Sequence, residues 1–441
     1  MNPQRFLRLV SGAMAALGIS AAAIVALNLR GEDPLPSAET LKPTPALVAQ
    51  GEYLTRVGNC MACHTVQGGA PFAGGRGIET PFGVVYSSNL TPDKATGLGA
   101  WTSAEFWRAM HNGRGKDGRL LYPAFPYTSY THVTREDSDA IFAYLQSLPP
   151  VAQANKAHAL RFPYSTQAAL GVWRALFFTP ADVAQPAASA PQALATAQVP
   201  DYQRGAYLVN GLGHCAACHT PRNSLGAEQQ GQALAGGLIP VQNWLAPALT
   251  DAGQAGVQRW PQADVVALLK TGVAPQASVI GPMAEVVFRS TQYLSDADAR
   301  AMAVYLQALP QHAATPAKQA VAPASVMERG AKVYEAQCAQ CHGAQGQGAK
   351  DEAGQPAFPP LAGNRAVVLA DPTNLVRVVL QGGYLPATAG NPRPHGMPPF
   401  QHLLGDEDVA AVATFVRNSW GNQAAGVGTI EVYRARERRS P

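Results

Sequence analysis

Charge is what this sequence has least of. Asp, Glu, Lys and Arg make up 14% of its 441 residues, against roughly 25% in an ordinary soluble domain. The balance is also mild, a net +4 scattered along the chain. That excludes nucleic acid as a partner, which calls for a concentrated basic face. No glycine-rich nucleotide fingerprint stands out, and no lone hydroxyl suggests a hydrolase triad. No cysteine is spare for a structural disulfide or a reactive thiol, because all six belong to one recurring pattern. What is present in quantity is apolar surface, 47% of residues, together with 42 Gly and 36 Pro. Such a chain buries a core and spends much of its length in loops. Its length suits about three domains at roughly 100–200 residues each.

The recurring pattern is Cys60-Met61-Ala62-Cys63-His64, Cys215-Ala216-Ala217-Cys218-His219 and Cys338-Ala339-Gln340-Cys341-His342. This is the attachment motif of a c-type haem. Two thiols three positions apart on a short turn each form a thioether with one vinyl group of the haem. The adjacent His then lies against the porphyrin face and binds iron. A single copy would also suit a redox dithiol or half a zinc site. Three copies that consume every cysteine make those readings poor.

Arg5 and Arg8 precede an uncharged stretch from Leu9 to Leu29, closed by Arg30. Its 21 residues would make a helix of about 31 Å, close to the ~30 Å hydrocarbon core of a bilayer. Basic residues ahead of it predict that the remainder of the chain is exported. The rival reading is a cleaved signal peptide, whose apolar region is usually about 7–15 residues long. Both readings export the domains that follow.

Each motif sits inside a longer repeat. Ahead of it runs a helical pattern opened by Gly: Gly51-Glu52-Tyr53-Leu54, Gly205-Ala206-Tyr207-Leu208 and Gly330-Ala331-Lys332-Val333-Tyr334. Far behind it comes a second helix, with hydroxyl and acidic residues suited to an N-cap and first turn. These read Thr134-Arg135-Glu136-Asp137, Ser295-Asp296-Ala297-Asp298 and Asp406-Glu407-Asp408. The aromatic and aliphatic stripe on both helices is core, and it packs the first helix of each unit against the last. This arrangement resembles the cytochrome c fold. The expected architecture is all-α, with three tandem cytochrome c-type domains joined by Ala/Pro-rich linkers behind an N-terminal transmembrane anchor or signal peptide. The expected boundaries are 1–30 for that segment, 45–150, 200–311 and 326–422 for the domains, 312–325 for a linker and 423–441 for a C-terminal tail. The basic residues Arg434 to Arg439 in that tail read as a solvated end. Residues 151–199 join the first two domains. Within them Leu170 to Phe178 is strongly apolar, read either as a strap packed on the first domain or as an exposed patch for a partner or lipid.

The residue on the far face of each iron separates electron carriers from haem enzymes. A Met thioether there raises the potential and leaves no room for substrate. Met283, 64 residues after His219 in Gly281-Pro282-Met283, and Met397, 55 residues after His342 in Gly396-Met397-Pro398, are the candidates. The first domain departs from this rule. Its loop, Leu121 to Tyr130, carries Phe125 where Met is expected. His132, 68 residues after His64, is the candidate there, with His111 a weaker one. An open iron is the remaining reading.

The loop Tyr122 to Tyr130, the stretch 176–178 and the three motif contexts together resemble the three-haem cytochrome c subunit of membrane-bound bacterial dehydrogenases. That group serves alcohol, gluconate, sorbitol and fructose dehydrogenases, with relatives paired to molybdenum hydroxylases. The resemblance implies three covalently bound haem c groups, held by Cys60, Cys63, Cys215, Cys218, Cys338 and Cys341, with His64, His219 and His342 on iron. It implies a subunit without a substrate site of its own on the periplasmic face of the inner membrane. Such a subunit takes electrons from a flavin-, quinone- or molybdenum-dependent catalytic subunit and passes them to ubiquinone or another acceptor. Phe125 keeps a second reading open: a haem enzyme of peroxidase or sulfur-compound oxidase type, with an open first iron and His132 as its base.

Overall fold

A computed structural model describes residues 3–32, 34–35, 41–311, 322–352, 354 and 356–437. Most of the expected linker 312–325 and the end of the basic tail lie outside them. The chain is mostly helical, and it falls into two compact units. One comprises residues 1–55, 63–185 and 224–227, and the other holds the remainder.

The same helix crossing is built three times. Helix Pro45–Val57 meets Arg135–Ser147, Val199–Ala206 meets Asp296–Gln307, and Ala324–Gln337 meets Asp406–Arg417. The Gly that opens each pattern is the point of contact. A Cβ on Gly51, Gly205 or Gly330 would run into the backbone carbonyl of Ala140, Ala301 or Ala411, beside the Cβ of Tyr144, Tyr305 or Phe415. Only glycine allows the two backbones to come so close. The residue before each Gly then ties the crossing polar side to polar side. Gln50 donates to Asp137 at 2.9 Å, Arg204 grips Asp298 through two 2.8 Å bonds, and Arg329 Nε meets Asp408 at 2.8 Å. Thr134 and Ser295 cap their helices by accepting from Asp137 N and Asp298 N. The third helix starts instead at Gly405, and its three acidic residues face the positive end of the helix dipole.

Short antiparallel ladders, absent from an all-α expectation, shape the loops between these helices. In the first unit Gly77–Thr80 pairs with Gly83–Tyr86, which Ala159–Leu160 extends. In the second unit Gly383–Tyr384 pairs with Gly396–Met397.

Two segments outside the repeats are also built into the fold. Helix Gln167–Phe177 turns Leu170 and Arg174 inward and leaves Val172 and Leu176 exposed, so it is a strap on one side and an open apolar face on the other. The C-terminal tail is more than a solvated end. Helix Thr429–Glu437 buries Val432 and Ala435 in the core formed with Val376, Leu380, Val409 and Ala413. Arg436 pairs with Asp406 at 2.8 Å.

Candidate functional site

Each motif forms a single helical turn: Cys60–Cys63, Ala216–His219 and Ala339–His342. Residues three and four apart on a helical turn share a face, so this conformation suits two thiols and an imidazole that serve one group. None of the six cysteines is paired in a disulfide. Burial first, and the neighbouring Cys218 second, push the Cys215 thiol up to about 12. Burial and Cys341 push Cys338 up to about 11.

The three imidazoles share one arrangement. Nδ1 of His64 is 2.7 Å from the Ser88 carbonyl oxygen, Nδ1 of His219 is 2.8 Å from that of Pro247, and Nδ1 of His342 is 3.0 Å from that of Pro359. A backbone carbonyl can only accept, so Nδ1 carries the proton and Nε2 is left with its lone pair free. This is how proteins orient a metal-binding His. Burial lowers the pKa of all three below the ordinary histidine value, which favours the neutral ring a metal requires. Sequence reasoning missed these acceptors. The only trace is proline downstream of two motifs, at Pro247 and at Pro359-Pro360.

The third centre is the most complete. Cys338, His342 and Met397 line one cavity, which is open at its mouth. Its other walls are apolar, among them Leu375, Val379, Phe400 and Val412. Met397 gets there on the strand that pairs with Gly383–Tyr384. Gly382, at φ +73°, makes the turn into that ladder, and a side chain there would strike the Met397 carbonyl. A mostly apolar cavity whose lining includes a thiol, an imidazole and a thioether fits a haem. Among the described residues no group of three or more His, Cys, Asp and Glu side chains is placed to hold a bare metal ion.

The other candidate distal residues are placed by their elements alone. Met283 lies in the first turn of helix Pro282–Arg289, after Gly281. Gly281 has φ +55°, and a Cβ there would come within 2.8 Å of the Trp244 indole. In the first domain Phe125 occupies a tight turn, with its ring 5.4 Å from that of Tyr130. His132 follows the short helix Tyr127–Tyr130, is half-buried, and has its pKa lowered by burial. His111 is buried and stacks on Trp107 in its own helix, ring centroids 4.5 Å apart.

Comparison with known proteins supplies the context. The sequence model of the cytochrome c family matches residues 48–149, 202–310 and 327–420. The chain is 38% identical over 426 residues to the cytochrome c subunit of the quinone alcohol dehydrogenase of Gluconacetobacter polyoxogenes, covering 92% of this chain and 87% of that one. It is 39% identical over 401 residues to the gluconate 2-dehydrogenase cytochrome c subunit of Pantoea cypripedii, covering 88% of each. It is 35% identical over 431 residues to the fructose dehydrogenase cytochrome subunit of Gluconobacter japonicus, covering 90% of this chain and 85% of that one.

Proposed function

Since this chain belongs to the cytochrome c family, we propose that it is the electron-transfer subunit of a membrane-bound dehydrogenase. In this reading it holds three haem c groups and relays electrons from a catalytic subunit to ubiquinone or another respiratory acceptor. The observation that carries the reading is the third cavity, where Cys338, His342 and Met397 meet inside an apolar wall. A Met397 thioether that bound the iron would leave no position there for substrate, so that centre would suit relay rather than catalysis.

When bound, each haem supplies reversible one-electron chemistry at its iron. The chain supplies everything else. The paired cysteines fix each group to its own helical turn. The carbonyls of Ser88, Pro247 and Pro359 hold each imidazole in one tautomer and orientation. In the third cavity the apolar walls would keep water from a bound haem, which would disfavour its more highly charged oxidised state and raise its potential. Met397 and Met283 are assigned to the third and second irons, and His132 to the first. The partner is a dehydrogenase subunit, because the relatives carry such names. The apolar N-terminal helix and those relatives support a place on the periplasmic face of the inner membrane.

The test is optical and EPR spectroscopy of the purified protein, oxidised and reduced, with carbon monoxide added. Three low-spin haems, one of them bis-His, with no carbon monoxide bound, are expected. A high-spin haem that binds carbon monoxide would overturn His132 as a ligand. Phe125 would then mark an open iron, and the haem-enzyme reading would take precedence.

A further inference from the structure

We propose that helix Gln167–Phe177 is a second membrane contact, an interfacial helix held on the phospholipid surface by the end of a retained N-terminal helix. Asn28 is the last residue of helix Pro3–Asn28. The apolar run Leu9–Asn28 is 20 residues long, which makes about 30 Å of helix and matches the hydrocarbon thickness. Asn28 therefore marks the depth at which the chain leaves the hydrocarbon.

At that depth the chain is wired to its first domain. Asn28 is buried; its amide donates to Ile24 O and to Gly171 O, each at 2.8 Å, and its Oδ1 accepts from Arg174 Nε at 3.0 Å. Arg174, only 2% exposed, also donates to the Asn112 carbonyl and lies over the Phe178 ring. Arg30 donates to Phe178 O at 3.0 Å, and Arg114 pairs with Glu32 at 2.6 Å and reaches Asn28 O at 3.1 Å. A leader peptide destined for removal has no reason to furnish buried partners to the mature domain. Cutting it away would leave the Arg174 guanidinium buried without its Asn28 partner, a costly state. We take the helix as retained.

Gly171, mid-way along helix Gln167–Phe177, is thus one hydrogen bond from the membrane boundary. The outward face of that helix carries Ala168, Val172 and Leu176 at helical spacing, all exposed. Phe162, just ahead of it, is 84% exposed. Its only charged residue, Arg174, points inward. An uncharged apolar face fixed at that depth is what an interfacial helix needs. Arg161, exposed just ahead of its first turn, suits an anionic headgroup, whereas Arg119 close by is already paired with Asp117 at 2.9 Å.

The experiment places the full-length holoprotein in phosphatidylcholine/phosphatidylglycerol vesicles with a photoactivatable acyl-diazirine phospholipid, and maps the adducts by mass spectrometry. Adducts are expected on residues 9–28 and again within 167–177. Val172→Glu with Leu176→Glu, both on the exposed face, should cut the second set at least tenfold, leaving the first set and the haem spectrum unchanged. Adducts confined to the N-terminal helix would overturn the proposal. So would an intact mass showing cleavage before domain one. Labelling of 167–177 in vesicles but not in native membranes would assign the face to a protein partner and equally overturn it. Because the readout is lipid attachment, its failure is separate from any failure of the electron-transfer reading.

Discussion

Tyr334 shows how much a single side chain in these repeats does. It is buried in the third core, and its hydroxyl donates to the Gly343 carbonyl at 2.7 Å, immediately after the motif His342. Burial above all, with Cys338 nearby, pushes that hydroxyl up to about 12, against roughly 10 for a free tyrosine. The folded state therefore keeps a proton that the unfolded state loses. Its contribution to stability is fully present below pH ~10 and is lost as pH rises towards 12. Denaturant midpoints measured from pH 8 to 11 should fall in the parent protein. In Tyr334→Phe they should fall less steeply, from a start lowered by about 1 kcal/mol for the lost hydrogen bond. A second residue-scale prediction concerns Met397. Met397→Ala should lower the potential of one haem by at least ~60 mV, a tenfold change in a one-electron equilibrium. Redox titration that finds all three potentials unmoved would remove Met397 from the iron.

At the scale of elements, the repeat was legible in the sequence because its requirements are local. A thioether motif needs its residues within one turn, and an N-cap needs its hydroxyl three residues from its amide, so Cys215 to His219 and Ser295 to Asp298 can be read directly. The glycines before the motifs were visible as a pattern, but their cause was not. The atom that forbids a side chain on Gly205 belongs to Ala301, far along the chain. The same distance hid Asn28 and Arg174 from each other. The tail was hidden for another reason. Its charges, Arg434 and Arg436, dominate the composition, while Val432 and Ala435 alone face inward at helical spacing. Val432→Ala removes two buried methyl groups and should cost about 2 kcal/mol by thermal or denaturant unfolding. A change under ~0.5 kcal/mol would mean that the tail helix does not dock in solution. Ser295→Ala, which removes a side-chain cap, should cost about 1 kcal/mol.

The whole molecule divides into two compact units, so its unfolding should not be two-state. Calorimetry of the holoprotein should show at least two transitions. Gly51→Ala and Gly330→Ala each force a methyl group into a backbone carbonyl at a crossing, at about 1–3 kcal/mol each. Each should shift a different transition. Both variants moving one shared transition would show that the units melt together. Across both units, the groups that aim the three imidazoles are main-chain oxygens, on Ser88, Pro247 and Pro359. A main-chain oxygen is the same whatever side chain its residue bears. Substitutions at these positions that keep the loop's path should be nearly silent, whereas inserting or deleting one residue in the same loops should be severe. The chain thus keeps its metal-facing geometry in loop length rather than in residue identity, and sequences can drift far at these sites while the geometry persists.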